Sequence, residues 1–196
     1  MLRLHEFVYH RPDTLGHAVA LLGEHAGDVM PIAGGTDLVP NMKHGLFTPA
    51  HVVALRQIDE LRGIGQREGE LWIGPAETLA AVSRDSRVQR WFPSLAKAAG
   101  NVAGPQLRNM GTIGGNLCLD TRCNYLDQNE EWRRAIHDCL KCGGDTCWTA
   151  PGGDDCWAVN SSDSVPVMMV LGARVRLLGA DGEREIPCDE LYAVDD

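Results

Sequence analysis

Six of the seven cysteines of this 196-residue chain fall between Cys118 and Cys156, in a tract that begins directly after the glycine loop Gly111-Thr112-Ile113-Gly114-Gly115-Asn116. Beyond Trp132, Trp148 and Trp157 the tract has few large apolar side chains, so burial alone cannot offset the entropy of ordering it. A metal held by several thiolates would supply that order. The pattern therefore predicts a soft-metal loop, at about residues 120–158, inserted into a fold whose core comes from the flanking sequence.

Thiolates suit tetrahedral zinc or an iron–sulfur cluster, and the spacing of Cys118, Cys123, Cys139, Cys142, Cys147 and Cys156 does not choose between them. Cys139-Leu140-Lys141-Cys142 has the knuckle spacing of structural zinc sites, but no second C-x-x-C completes a ribbon. His137 reads as a solvated histidine, and Cys118 and Cys188 read as small buried hydrophobes. An odd cysteine count with no secretory signal in Met1–Glu6 points to a cytoplasmic chain with reduced thiols rather than a disulfide framework. The longest apolar stretch, Val165 to Leu171, is too short to span a bilayer. A net charge of −9 without a Lys/Arg cluster argues against nucleic-acid binding. His5, His10, His17, His25, His44 and His51 are scattered singly, and each reads as a surface or hydrogen-bonded histidine rather than a catalyst.

Periodicity predicts an α+β chain. Phe7 to Tyr9 reads as a strand, Thr14 to Ala26 as a helix, and Val29 to Ala33 as a strand that Pro31 makes an edge or irregular one. Val52 to Leu55 and Leu71 to Ile73 read as strands on either side of a polar turn at Gln66 to Gly69. Thr78 to Ser83 and Arg87 to Ala99 read as helical, and Ser164 to Leu171 as a short buried helix. Arg174 to Leu178 and Arg184 to Ile186 flank the turn Gly179–Gly182 in a hairpin. A boundary near residues 50–60 divides the chain into units at 1–55 and 56–196.

Two glycine loops carry the other chemical signal, Ala33-Gly34-Gly35-Thr36-Asp37 and Gly111 to Asn116. Paired glycines allow positive φ and close approach, so that successive N–H groups can point at one anionic oxygen. Thr36, Thr112 and Asn116 could add side-chain donors. Neither loop fits the Rossmann or P-loop pattern, and each could equally be a tight turn between strand and helix.

The succession Pro31 to Leu38, Asn101 to Asn109, Gly111 to Leu117 and Ser162-Asp163 resembles the FAD-binding subunit of the xanthine oxidase family of molybdenum enzymes. The cysteine insertion resembles the one in the β subunit of that family's 4-hydroxybenzoyl-CoA reductase branch, where it holds an additional [4Fe-4S] cluster. The resemblance implies the two-subdomain flavin fold shared by p-cresol methylhydroxylase and xanthine dehydrogenase, with the family's third, C-terminal domain absent from this chain. It implies that Met30, Pro31, Ile32, Ala33, Gly34, Gly35, Thr36, Asp37 and Leu38 wrap the FAD pyrophosphate. Gly111, Thr112, Gly114, Gly115 and Asn116 would hold the diphosphate and ribityl region, with Val102 and Cys118 facing the cofactor and Asp163 on the adenosine ribose. By the same resemblance Cys123, Cys139, Cys147 and Cys156 would be the cluster ligands and Cys142 a bystander. The implied function is electron transfer for reductive dehydroxylation of 4-hydroxybenzoyl-CoA. The implied partners are a molybdopterin-binding large subunit, a [2Fe-2S] small subunit and a ferredoxin, in a dimerised heterotrimer. Two alternatives are a flavin subunit of an oxidative molybdenum hydroxylase and a zinc-stabilised module without redox function.

Overall fold

Three short parallel strands open the fold of the computed structural model, which describes residues 2–67 and 69–192. β1 (Val8–His10) leads to α1 (Leu15–Glu24), whose start is set by Thr14: its hydroxyl accepts from the His17 amide at 3.2 Å. Such a cap satisfies an amide that the first helical turn leaves without a partner. β2 (Val29–Ile32), α2 (Leu38–Lys43) and β3 (His51–Ala54) follow, and the strands pair in the order β1-β3-β2. Pro31 thus lies on an edge strand, where its missing N–H breaks no ladder. β3 is covered on both faces, Val53 packing with Ala18 of α1 and Val52 with Leu38 and Met42 of α2. Alternation of side chains along the strand sends the two valines to opposite sides.

The same sheet brings three of the singly scattered histidines together. Register places Val8 opposite His51, so His10 and His51 share the α1 face of the sheet, and the end of α1 lays His25 over them. The three rings stack, His25 on His51 at 3.7 Å between centroids. Forty-one residues separate His10 from His51, a distance that local pattern cannot bridge.

β4 (Ile64–Arg67) and β5 (Glu70–Ile73) form an antiparallel hairpin. The partner of Leu71 to Ile73 is therefore Ile64 to Arg67 and not the strand at Val52, which is occupied by parallel pairing on both edges. The single helix expected over Arg87 to Ala99 is two, α4 (Ser86–Trp91) and α5 (Pro93–Asn101), after α3 (Leu79–Arg84). Pro93 excludes the preceding residue from helical geometry, and Phe92 sits at φ −134°, ψ 59°. α6 (Pro105–Arg108), α7 (Ile113–Leu117), α8 (Glu130–Ala135) and α9 (Val165–Val170) complete the helices, and β6 (Arg174–Gly179) with β7 (Gly182–Pro187) form the expected hairpin. α9 is only partly buried: Val165 joins the core while Val170 is 87% exposed. The second core gathers Leu79, Val82, Val88, Leu95, Ala99, Ile113, Leu117 and Val165.

Asp85 joins α3 to α4. Its carboxylate accepts from the Arg87 and Val88 amides at 2.8 and 3.3 Å and pairs with the Arg87 guanidinium at 2.6 Å. The Arg87 side chain, aided by these amides, holds the Asp85 carboxyl below the usual carboxylate range. A depressed folded-state value means that the stabilisation is present above the unfolded value of about 3.9 and is lost as pH falls through the folded one. Asp85→Ala is expected to cost about 1 kcal/mol in urea unfolding at neutral pH. The deficit should shrink below about pH 4; a deficit unchanged in acid would mean that the cap is not what the substitution removed.

Candidate functional site

The two glycine loops, far apart in the chain, lie backbone to backbone. A Cβ built on Gly34 would stand 2.7 Å from the Met110 carbonyl carbon and 2.8 Å from Gly111 Cα, and one on Gly111 would stand 3.1 Å from Thr36 Oγ1. Gly35 turns the first loop at φ +69°. Only glycine permits both the turn and the approach.

The amides of the two loops have different fates. Among the described residues, the N–H groups of Gly34, Gly35, Thr36, Asp37 and Leu38 donate to no backbone or side-chain acceptor. In the second loop Gly111 donates to Leu107 at 2.6 Å, and Ile113 and Gly114 to Glu77 and Pro75 at 2.9 Å each. Gly115 donates to Thr112 Oγ1 at 3.1 Å, and Asn116 to the Thr112 carbonyl at 2.9 Å. The first loop thus leaves its amides open, whereas in the second those of Ile113 and Gly114 dock α7 against residues 75–77 and those of Gly111, Gly115 and Asn116 bond locally. Thr112 itself is 2% exposed, and its hydroxyl oxygen accepts from the Gly115 amide to cap α7.

Asn116 is also structural. Its Oδ1 accepts from Ser162 Oγ at 2.8 Å, from the Ser164 amide at 3.3 Å and from Ser164 Oγ. Asp163, between these buried serines, is left exposed on the outer side. Nothing in the glycine loops points to the serines, although Ser161-Ser162-Asp163-Ser164 before an apolar run is a helix-start pattern that could flag them. Asn116→Ala leaves two buried hydroxyls and an amide without an acceptor and is expected to cost on the order of 3 kcal/mol, read from urea unfolding. A loss under about 0.5 kcal/mol would contradict this role.

Other candidates divide between lining and packing. Met30, Ile32 and Leu38 pack on the apolar cluster around Val52, which leaves their backbone to the loop, and Pro31 is exposed. Val102 is half-buried, its carbonyl held by Arg108 at 2.8 Å next to Ala103 at φ +43°. Cys118, expected to be buried, is exposed just past the end of α7 because the apolar face of that short helix is filled by Ile113 and Leu117. Cys188 is buried, as expected. The Asp37 carboxylate is engaged by Arg122 and by Asn41 Nδ2 at 3.2 Å, and burial raises its pKa against the pull of Arg122. Arg122, which no local motif marks, thereby ties the first loop to the root of the cysteine tract.

That tract is closed by an antiparallel bridge between Arg122 and Val159, with N–H···O distances of 2.7 and 3.0 Å. Within it Asn129 caps α8, buried Arg133 donates to the Gln128 and Gly45 carbonyls, and Trp148 Nε1 donates to the Asp138 carbonyl at 2.9 Å. Cys123, Cys139, Cys147 and Cys156 line one void of about 10 Å³, with Leu126 and Trp148 in its wall. Cys142 and His137 do not line it, and Trp132 and Trp157 are exposed. The Trp157 backbone N–H, ahead of those of Ala150 and Thr149, lowers the Cys147 thiol. Burial, ahead of neighbouring Cys139, pushes Cys142 up to about 11. Among the described residues no three cysteine sulfurs come within 4.8 Å of one another. A zinc ion at about 2.3 Å from each sulfur would need them closer. The void holds one water-sized body, so a polynuclear group requires the Cys147–Cys156 segment to move outward. Between residues 151 and 158 only Gly153 donates a backbone–backbone hydrogen bond, which permits that movement.

Over residues 5–195 the chain matches the family described as FAD binding domain in molybdopterin dehydrogenase. It is 42% identical over 111 residues to the xanthine dehydrogenase FAD-binding subunit of Escherichia coli O157:H7, covering 56% of this chain and 38% of that protein. To the aldehyde oxidoreductase FAD-binding subunit of Escherichia coli (strain K12) it is 30% identical over 204 residues, covering 95% of this chain and 60% of that one. Among solved structures, carbon monoxide dehydrogenase from Hydrogenophaga pseudoflava superposes with a TM-score of 0.71 at 29% identity, over 95% of this chain and 52% of that one. The chain thus spans about half, or less, of the length of the first relatives it matches.

Proposed function

Because the chain belongs to the family of FAD-binding domains of molybdopterin dehydrogenases, we propose that it is the flavin and iron–sulfur electron-transfer part of a molybdenum-containing oxidoreductase. Bound FAD and a [4Fe-4S] cluster would supply the electron transfer, since such chemistry belongs to the cofactor. The chain's own residues bind and position. The uncommitted amides from Gly34 to Leu38 form the anion cradle for the pyrophosphate, and the second loop, pinned by Thr112 and Asn116, gives the wall against which it closes. Asp163, exposed beside that wall, is the ribose acceptor in this reading. Cys123, Cys139, Cys147 and Cys156 hold the cluster, and the observation that carries this assignment is their convergence on one void that excludes Cys142. N–H groups aimed at Cys147 would stabilise its thiolate and tune the cluster potential.

The experiment is anaerobic purification followed by flavin, iron, sulfide and zinc analysis of one sample. FAD with about four irons and four sulfides per chain is the expected result. One zinc in place of iron would make the tract a zinc staple in a flavin domain.

Two readings of electron direction remain, each with its own support. The cysteine insertion favours reductive dehydroxylation of 4-hydroxybenzoyl-CoA with ferredoxin-derived electrons. The relatives favour the outward, oxidative direction, for they are named dehydrogenases, and the aldehyde oxidoreductase subunit matches across 95% of this chain. Redox titration separates them: a cluster well below the flavin suits electron entry from a low-potential carrier, and a cluster well above it suits exit. In either reading the partners are a molybdopterin-binding large subunit and a [2Fe-2S] small subunit, and the compartment is the cytoplasm. No helix among the described residues is long and apolar enough to cross a membrane.

A further inference from the structure

We propose that His10, His25 and His51 form a metal site of their own, for a divalent transition-metal ion of the zinc class, on the α1 face of the N-terminal sheet and independent of the cysteine tract. One ring nitrogen from each lies within 4.8 Å of the others, and all three residues are half-buried. Their backbones are locked to one another. The Asp28 amide donates to the His25 carbonyl at 3.0 Å, the His51 amide donates to the Asp28 carbonyl at 3.1 Å, and Gly27 at φ +92° makes the turn between them. His10 joins through the β1–β3 ladder. The donors are thus brought together by the fold before any ion arrives, which lowers the ordering cost of binding.

His10 Nε2 and His51 Nδ1 stand 2.9 Å apart, so one carries a proton that the other accepts. A divalent ion can sit between the two nitrogens once the donor ring takes its other tautomer, the proton moving through solvent to that ring's second nitrogen with no net release. Three imidazoles are a donor set for zinc, copper or nickel, and with the site half open the fourth position falls to water. The ring planes of His25 and His51 differ by only 7°, so their in-plane lone pairs share no focus as stacked. Binding therefore turns the His25 ring out of the stack, a side-chain motion that its partial exposure allows.

Cobalt(II) titration of the full chain, followed optically, tests this. The wild type should show one equivalent whose visible d–d absorption comes without sulfur-to-cobalt charge transfer, separate from any thiolate phase of the cysteine tract, and Cys156→Ser should leave that nitrogen-only phase intact. His25→Phe keeps a ring in the stack but removes a ligand, and should weaken the phase at least tenfold while leaving metal-free thermal stability unchanged. His10→Gln should weaken it as much and decides the matter if His25→Phe does not fold. Absence of a nitrogen-only phase in the wild type, or wild-type affinity in the folded variants, would overturn the proposal.

Discussion

Gly34→Val is expected to abolish flavin retention and to lower unfolding stability by about 3 kcal/mol or more, the upper end of overpacking costs. Its first side-chain carbon would enter the space of the Met110 carbonyl carbon and Gly111 Cα, each under 3 Å away. Both are backbone atoms of a segment that Gly111, Ile113 and Gly114 pin through their own hydrogen bonds, so the obstacle cannot swing aside as a side chain could. The loops must separate, and the amides from Gly34 to Leu38 lose the wall that faces them. Gly16→Ala is the control: that glycine lies in α1 with nothing within 4 Å of a built Cβ. It should bind flavin normally and gain about 0.5–1 kcal/mol from the better helix former. The FAD-to-protein ratio after gel filtration, with urea unfolding of the same samples, gives both readings. Stoichiometric flavin in Gly34→Val at wild-type stability would show that the loops do not close on one another in solution.

The second large effect concerns the cysteines. Serine at Cys139 or Cys147 should remove most of the iron and expose the tract to limited proteolysis, whereas Cys142→Ser should retain both iron and protease resistance. The asymmetry follows from position, because Cys139 and Cys147 are buried in the wall of the void and Cys142 faces the adjacent groove with His5, Arg133 and Lys141. The size follows from thermodynamics: for a loop with so small a core, metal-binding free energy is folding free energy, on the order of 10 kcal/mol for structural metal sites in small domains. Loss of metal in Cys142→Ser with retention in Cys156→Ser would reinstate the knuckle pair Cys139–Cys142 as the ligand core.

Much of the scaffold is legible in the chain itself, because its signals are local. Thr14 and the edge position of Pro31 follow from chemistry within a few residues, and so does the hairpin at Ala180-Asp181 closed by Gly182 at φ +110°. Local pattern misleads where a competing rule acts across one residue or one strand. Pro93 breaks a helix whose periodicity continues through it. The strand that precedes the turn at Gln66 to Gly69 is Ile64 to Arg67, while the apolar character of successive residues from Val52 is the mark of a strand buried on both faces. The candidate site is legible as a set of residue types but not as a division of labour. Glycine pairs look alike in sequence, yet one loop keeps its amides open and the other spends them.

By itself, then, the sequence determined the element types, the two glycine loops and a thiol-rich tract of soft-metal donor chemistry, since propensity, capping and donor chemistry act over a few bonds. Only the tertiary structure decided which amides are free and which four cysteines share a void. Only it joined Asp37 to Arg122 and drew three solitary histidines into one stack. Those outcomes depend on strand register and on packing between segments tens of residues apart, and a contact of that kind leaves no mark on the residues near it in the chain.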